Sequence, residues 1–110
     1  MTGNEYQTNI LGFNIDYPES LGPFCTLLKM MDKIGMLSST MVTILNKPDA
    51  SITNKERTVL IDELGEILSY LTRTIYHCGL TLDDVMQNSI DKNKTMDEYK
   101  KIIDSDMFRK

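Results

Sequence analysis

The sequence predicts an all-α protein built around a long antiparallel helical hairpin. Three observations lead there. Two stretches keep apolar residues at helical spacing over about 25 residues each. Thr-x-x-acid boxes, the signature of helix starts, recur along the chain. No stretch sustains the period-two alternation of a half-buried strand. At 110 residues the chain makes one domain, residues 1–110.

The first helix is expected over Asn4–Phe13, with Tyr6, Ile10, Leu11 and Phe13 apolar. Asn14–Gly22 carries Pro18 and Gly22 and reads as a loop. Pro23 opens the second helix at its first position, where the missing N–H is no loss. Its apolar positions run through Leu27, Met30, Met31, Ile34, Leu37, Met41, Ile44 and Leu45, until Pro48 stops it.

Thr53-x-x-Glu56 caps the third helix. Leu60, Leu64, Ile67, Leu71, Ile75 and Cys78 form one stripe, the expected core face. Gly79 closes the helix in the left-handed conformation. Thr81-x-x-Asp84 starts a fourth helix to about Lys94, and Thr95-x-x-Glu98 a fifth, with Tyr99, Ile102, Ile103 and Met107 apolar. The tail, Ser105–Lys110, is expected to fray or to lie against another subunit.

The two long helices, each about 40 Å, are joined by a short connection after Pro48, which makes them antiparallel neighbours. One chain of this length has too few helices to cover both faces of such a hairpin. A homo-oligomer, a dimer completing a four-helix bundle, is therefore expected.

Hydrophobic residues are 41% and charged residues 25%, the balance of a globular chain. A net charge of −4 argues against nucleic-acid or anionic-membrane partners, which need a basic surface. The N-terminus Met1–Glu5 is polar and no apolar run approaches a membrane span, so a cytoplasmic protein with reduced thiols is expected. Cys25 and Cys78 read as packed hydrophobes. With only these and His77, a zinc site lacks ligands. His77 has no nearby triad partner and reads as a surface or capping residue.

Glu63 and Glu66 carry the chemistry. Three residues apart within an apolar helical pattern, they share a helix face. Such acids are either solvated at the edge of the stripe or hold a cation. Tyr70 lies on the same face and is a candidate to meet a nucleotide phosphate, with packing or a simple hydrogen bond as the plain reading.

The order of the pieces resembles a known family. Asn4–Gln7 opens the chain and a long Gly-containing helix follows. Then come Glu63-Leu64-Gly65-Glu66-Ile67-Leu68-Ser69-Tyr70-Leu71, Gly79-Leu80-Thr81-Leu82-Asp83-Asp84-Val85 and Ile90-Asp91-Lys92. Residues 4–94 resemble the MazG-like all-α nucleoside triphosphate pyrophosphohydrolases. The resemblance implies magnesium-dependent hydrolysis of a nucleoside triphosphate to the monophosphate and pyrophosphate in a homo-dimer or tetramer.

It also implies four magnesium-binding carboxylates, a Glu-x-x-Glu on the second helix and a Glu-x-x-Asp on the third. Glu63 and Glu66 match the latter pair, with Glu66 one methylene longer than the usual Asp. The former falls around Gly35, in Lys33-Ile34-Gly35-Met36, where Lys33 and Met36 stand in place of both acids. Ser89 stands where the family often has an Asn on the metal or nucleotide, and Lys92 keeps the position of a phosphate-binding Lys. Lys92 and Lys94 equally suit a helix C-terminus with no ligand.

A fixed cation about 5 Å from magnesium repels it by several kcal/mol at an effective dielectric near 20. Lys33 instead is expected to take the metal's place, pairing with Glu63 and Glu66; the plain alternative is a snorkelling lysine. The cluster Met30, Met31, Met36 and Met41 reads as packing, or as an adaptable binding surface.

Three functions remain open from sequence: a catalytically silent module that binds nucleotide or protein or regulates; a divergent active hydrolase using Asp32 or Asp62 in a shifted register; and a structural helical oligomer docking on a protein partner.

Overall fold

The computed structural model describes residues 1–13 and 19–107. Asn14–Pro18 of the expected loop and Phe108–Lys110 of the tail lie outside the described residues. Four α-helices follow in order: α1 Gly3–Leu11, α2 Gly22–Leu45, α3 Asn54–His77 and α4 Leu82–Met107, with a 3-10 turn at Glu19–Leu21 before α2. No strand occurs among the described residues, and no helix is long and apolar enough to cross a membrane.

Local chemistry sets most boundaries. Thr53 and Glu56 form the expected reciprocal capping box at α3. A second box, Thr2 with Glu5, starts α1 one residue earlier than the apolar pattern suggests. Phe13 lies beyond α1 and is exposed. Pro23 occupies the second position of α2, not the first. Gly79, at φ 75°, closes α3 in a Schellman arrangement. The Leu80 N–H donates to the Ile75 carbonyl and the Gly79 N–H to the Tyr76 carbonyl.

The expected break between a fourth and a fifth helix does not occur. Thr95 does not cap; its hydroxyl donates backward to the Asp91 carbonyl at 3.0 Å. With no Gly or Pro between 82 and 107, nothing ends the helix there, and α4 is continuous.

α2 and α3 lie antiparallel along a seam with coiled-coil spacing. On α2 the seam is Thr26, Met30, Lys33, Leu37, Thr40 and Ile44, continued just past the helix by Lys47; on α3 it is Glu56, Leu60, Glu63, Ile67, Tyr70, Thr74 and His77. All are buried or half-buried, and steps alternate between three and four residues, as knobs-into-holes packing requires. Polar layers hold the register. Thr74 donates to Thr26 at 2.9 Å near one end, and Lys47 pairs with Glu56 at the other. Gly22 is buried under the His77 ring, which fills the space a Cβ would need.

This seam corrects the expected core face of α3. Of that stripe only Ile75 is buried; Leu60 and Ile67 are half-buried, while Leu64, at 52%, Leu71, at 37%, and Cys78 are exposed. Leu60 and Ile67 belong to the seam itself, while Leu64, Leu71, Ile75 and Cys78 each follow a seam residue by one position, about 100° round the helix. On α2, Leu27, Met31, Ile34, Met41 and Leu45 are offset likewise and are also exposed. In an antiparallel pair, equal offsets in the same sense fall on the same side. The hairpin thus presents one two-helix apolar face, open along Leu27, Met31, Ile34 and Leu64 and met by α1 and α4 toward Leu71 and Ile75.

α1 packs across α3 and the start of α4. Gln7, 7% exposed, donates to the Leu80 carbonyl at 3.2 Å and accepts from the Leu82 N–H at 3.1 Å. Buried Arg73 donates to the Ile10 carbonyl at 2.8 Å, at the C-terminal end of α1. The radius of gyration is 18.7 Å, against about 13 Å for a compact domain of this length.

Candidate functional site

The site sits midway along the α2–α3 seam. Lys33 and Met36 are one turn apart on α2, and Thr40 follows one turn on. Glu63 and Glu66 face them from α3. Lys33 Nζ lies 2.7 Å from Glu66 Oε2 and 4.0 Å from the Met36 thioether. The lysine side chain is 23% exposed and that of Glu66 49%. The hydrogen bond from Lys33 to Glu66 holds the ammonium pKa above its usual value, against an opposing effect of burial; charge on Glu66, Tyr70 and Asp32 adds to the rise.

Glu63 is engaged differently. Its Oε1 accepts from the Thr40 hydroxyl at 2.7 Å. Its Oε2 is buried and accepts no hydrogen bond among the described residues. The expectation that one lysine pairs with both carboxylates is corrected: Lys33 takes Glu66 alone, and the Thr40 hydroxyl takes Glu63. Thr40 carries no family signal. The period of seven that places Thr26, Lys33, Thr40 and Lys47 on one line was the available cue.

These residues do not fit magnesium. The ion wants six oxygens in near-octahedral array. Here one carboxylate is held by an ammonium and the other by a hydroxyl. No cluster of three or more His, Cys, Asp or Glu suited to a metal occurs among the described residues. Asp32 and Asp62, the acids a shifted register would recruit, are both exposed on regular stretches of helix.

Tyr70 is half-buried on the seam, close enough to act on the Lys33 charge. Ser89 and Lys92 are not brought to this cluster. Both are on α4 and exposed. Ser89 lines an open apolar cleft of about 600 Å³ with Tyr6, Leu68, Leu71 and Ile75. At about 100° per residue Leu68 leaves α3 about 140–160° round from Glu63 and Glu66, and Leu71 about 80–140° round, so the cleft and the carboxylates face different sides of the helix. The expectation for the cysteines holds in part: Cys25 is half-buried, but Cys78, at the cap of α3, is exposed. His77 is a packing residue, seated on Gly22 and tilted against Tyr76.

No protein-family model, no curated protein and no solved structure matches the chain.

Proposed function

We propose that this chain is a MazG-like helical module in which an ion pair stands where that family holds magnesium, and that it acts as an oligomeric binding or regulatory module with little or no hydrolase activity. The observation that carries the reading is the 2.7 Å contact between Lys33 Nζ and Glu66 Oε2, with Met36 beside it. Phosphoryl transfer draws on metal charge to stabilise its transition state. An ammonium locked onto one carboxylate neither provides that charge nor leaves room for the ion that would.

The oligomeric part of the reading rests on the hairpin face. Leu27, Met31, Ile34, Leu64 and Leu68 are between 43% and 59% exposed on one side of one hairpin. A continuous apolar surface of this kind marks an interaction site. A second copy of the hairpin supplies an equivalent face and completes four helices around one core. The same face supports a second reading, a structural oligomer with no nucleotide ligand.

The test combines magnesium titration by calorimetry with pyrophosphate release across the common nucleoside triphosphates. The proposal expects no magnesium heat and background turnover. Sustained turnover that disappears in Glu63→Gln would overturn it and restore the reading as a divergent hydrolase. Nucleotide binding without turnover supports a binding module; its absence leaves the structural oligomer.

A further inference from the structure

We infer that the distal half of α4 is an arm that pairs antiparallel with α4 of a second copy of this chain. The inference rests on the oligomeric reading above and adds the contact that forms the oligomer.

α4 is two structures in one helix. Its first half is seated: Leu82 is buried, and Leu82, Val85 and Ser89 face the cleft against α1 and α3. From Met86 to Ser105 every residue is exposed. The 26-residue helix runs about 39 Å, so about half of it projects from the body. A lone helix of that length is marginal in water without a packed face. Along it the described residues show one ion pair, Asp97 with Lys101, and hydrogen bonds within the helix itself; an exposed pair of that kind contributes little.

The arm nevertheless carries a face. Counting on from Leu82, Val85 and Ser89 in alternating steps of three and four gives Lys92, Met96, Tyr99 and Ile103. This is one heptad stripe through the whole of α4. Its inner half meets α1 and α3. Its outer half is uncovered among the described residues, with Met96 60%, Tyr99 64% and Ile103 40% exposed. Anchors at i, i+3 and i+7 are the pattern by which a helix enters an apolar groove.

Two features identify the occupant as a second copy in antiparallel register. The stripe is nearly symmetric about Lys92 and Asn93. Antiparallel pairing there sets Ser89 level with the second copy's Met96, Met86, which flanks the stripe beside Val85, level with Tyr99, and Ile103 at the end of the cleft beneath which Leu82 is buried, so each arm closes the other copy's cleft. Charge agrees. Residues 82–91 carry three aspartates and no basic residue, whereas 92–103 carry four lysines against two acids. Antiparallel pairing brings the acidic half of one helix to the basic half of the other. Parallel pairing would set like against like, at a cost in affinity and register. The arrangement is isologous, as a closed two-fold dimer requires.

Two experiments on the full chain test this. Met96, Tyr99 and Ile103 are exposed in the single chain, so Met96→Glu, Tyr99→Glu and Ile103→Glu together leave its fold intact. Sedimentation equilibrium should show the native dimer falling to half its mass in this variant. Second, in a Cys25→Ser, Cys78→Ser background, Met86→Cys and Tyr99→Cys chains are mixed and oxidised. The mixed 86–99 disulfide should dominate over either like-with-like product. A dimer that survives the triple substitution, or cross-links mainly 99 to 99, overturns the arm while leaving the hairpin face as the dimer contact. A native chain that sediments as a monomer overturns both.

Discussion

Lys33 and Glu66 meet across the α2–α3 seam with 2.7 Å between Nζ and Oε2, while Glu63, one turn away, is held by Thr40. Neighbouring carboxylates thus have separate donors from separate turns of α2. If the lysine excludes a cation, replacing it should admit one. The Lys33→Glu, Met36→Glu double substitution sets four acids across the seam. It should give a saturable magnesium heat that the native chain lacks, and magnesium should raise the melting temperature of the variant alone. No heat in a folded variant would count against the placement of Lys33 and Met36 at the missing carboxylate positions.

Thr40 supplies the one hydrogen bond described to Glu63, whose second oxygen is buried without one. Thr40→Val keeps the shape and removes the donor. It should cost about 1–3 kcal/mol, read as a lower denaturation midpoint at unchanged slope, and Thr40→Ser should recover most of the loss.

The acid limb of stability should trace to Glu56. Its hydrogen bonds, first from Lys47 and then from the Thr53 N–H, hold its carboxyl at about 2 from the ordinary 4.5. The folded chain therefore binds this proton less readily than the unfolded one. Stability from Glu56 is complete above about pH 4.5 and is lost as pH falls from there through about 2. Lys47→Met should flatten that limb in denaturation curves taken between pH 5 and 2 (the window follows from the two pKa values cited).

Two glycines of α2 should respond with opposite sign. Gly22 is covered by the His77 ring, so Gly22→Ala forces the helix ends apart and should destabilise by about 1–3 kcal/mol. Gly35 has open space around it within a helix, so Gly35→Ala should stabilise by about 0.5–1 kcal/mol. Thermal melts of the two variants decide both.

How much of this was legible depended on whether the signal was local. The limits of α2 and α3 were readable because Pro48, the Thr53–Glu56 box and Gly79 act within a few residues of themselves. The split of α4 was misread because Thr95-x-x-Glu98 has the letters of a cap without a breaker before it. At the site, Lys33 and Glu66 stood out as charges on an apolar pattern. Thr40 did not, since a threonine within a run of methionines and serines signals nothing until the facing helix gives it an acceptor. The largest error concerned the α3 stripe. A helix with two adjacent apolar-rich lines does not say which one its own chain will cover, and the seam took the more polar line.

The amide of Gln7 has a consequence for the order of events during folding. It bridges the Leu80 carbonyl and the Leu82 N–H, and so clamps the corner from which α4 departs. The α2–α3 hairpin closes through the short 46–53 connection and needs only local contacts. The heading of α4 instead waits for a residue 75 positions earlier to arrive, a closure that is slower because the loop is longer. The direction of the arm is thus fixed late. A newly made chain should display its apolar hairpin before it has an arm aimed to engage a second copy, so Gln7 governs when, and not only whether, two chains meet.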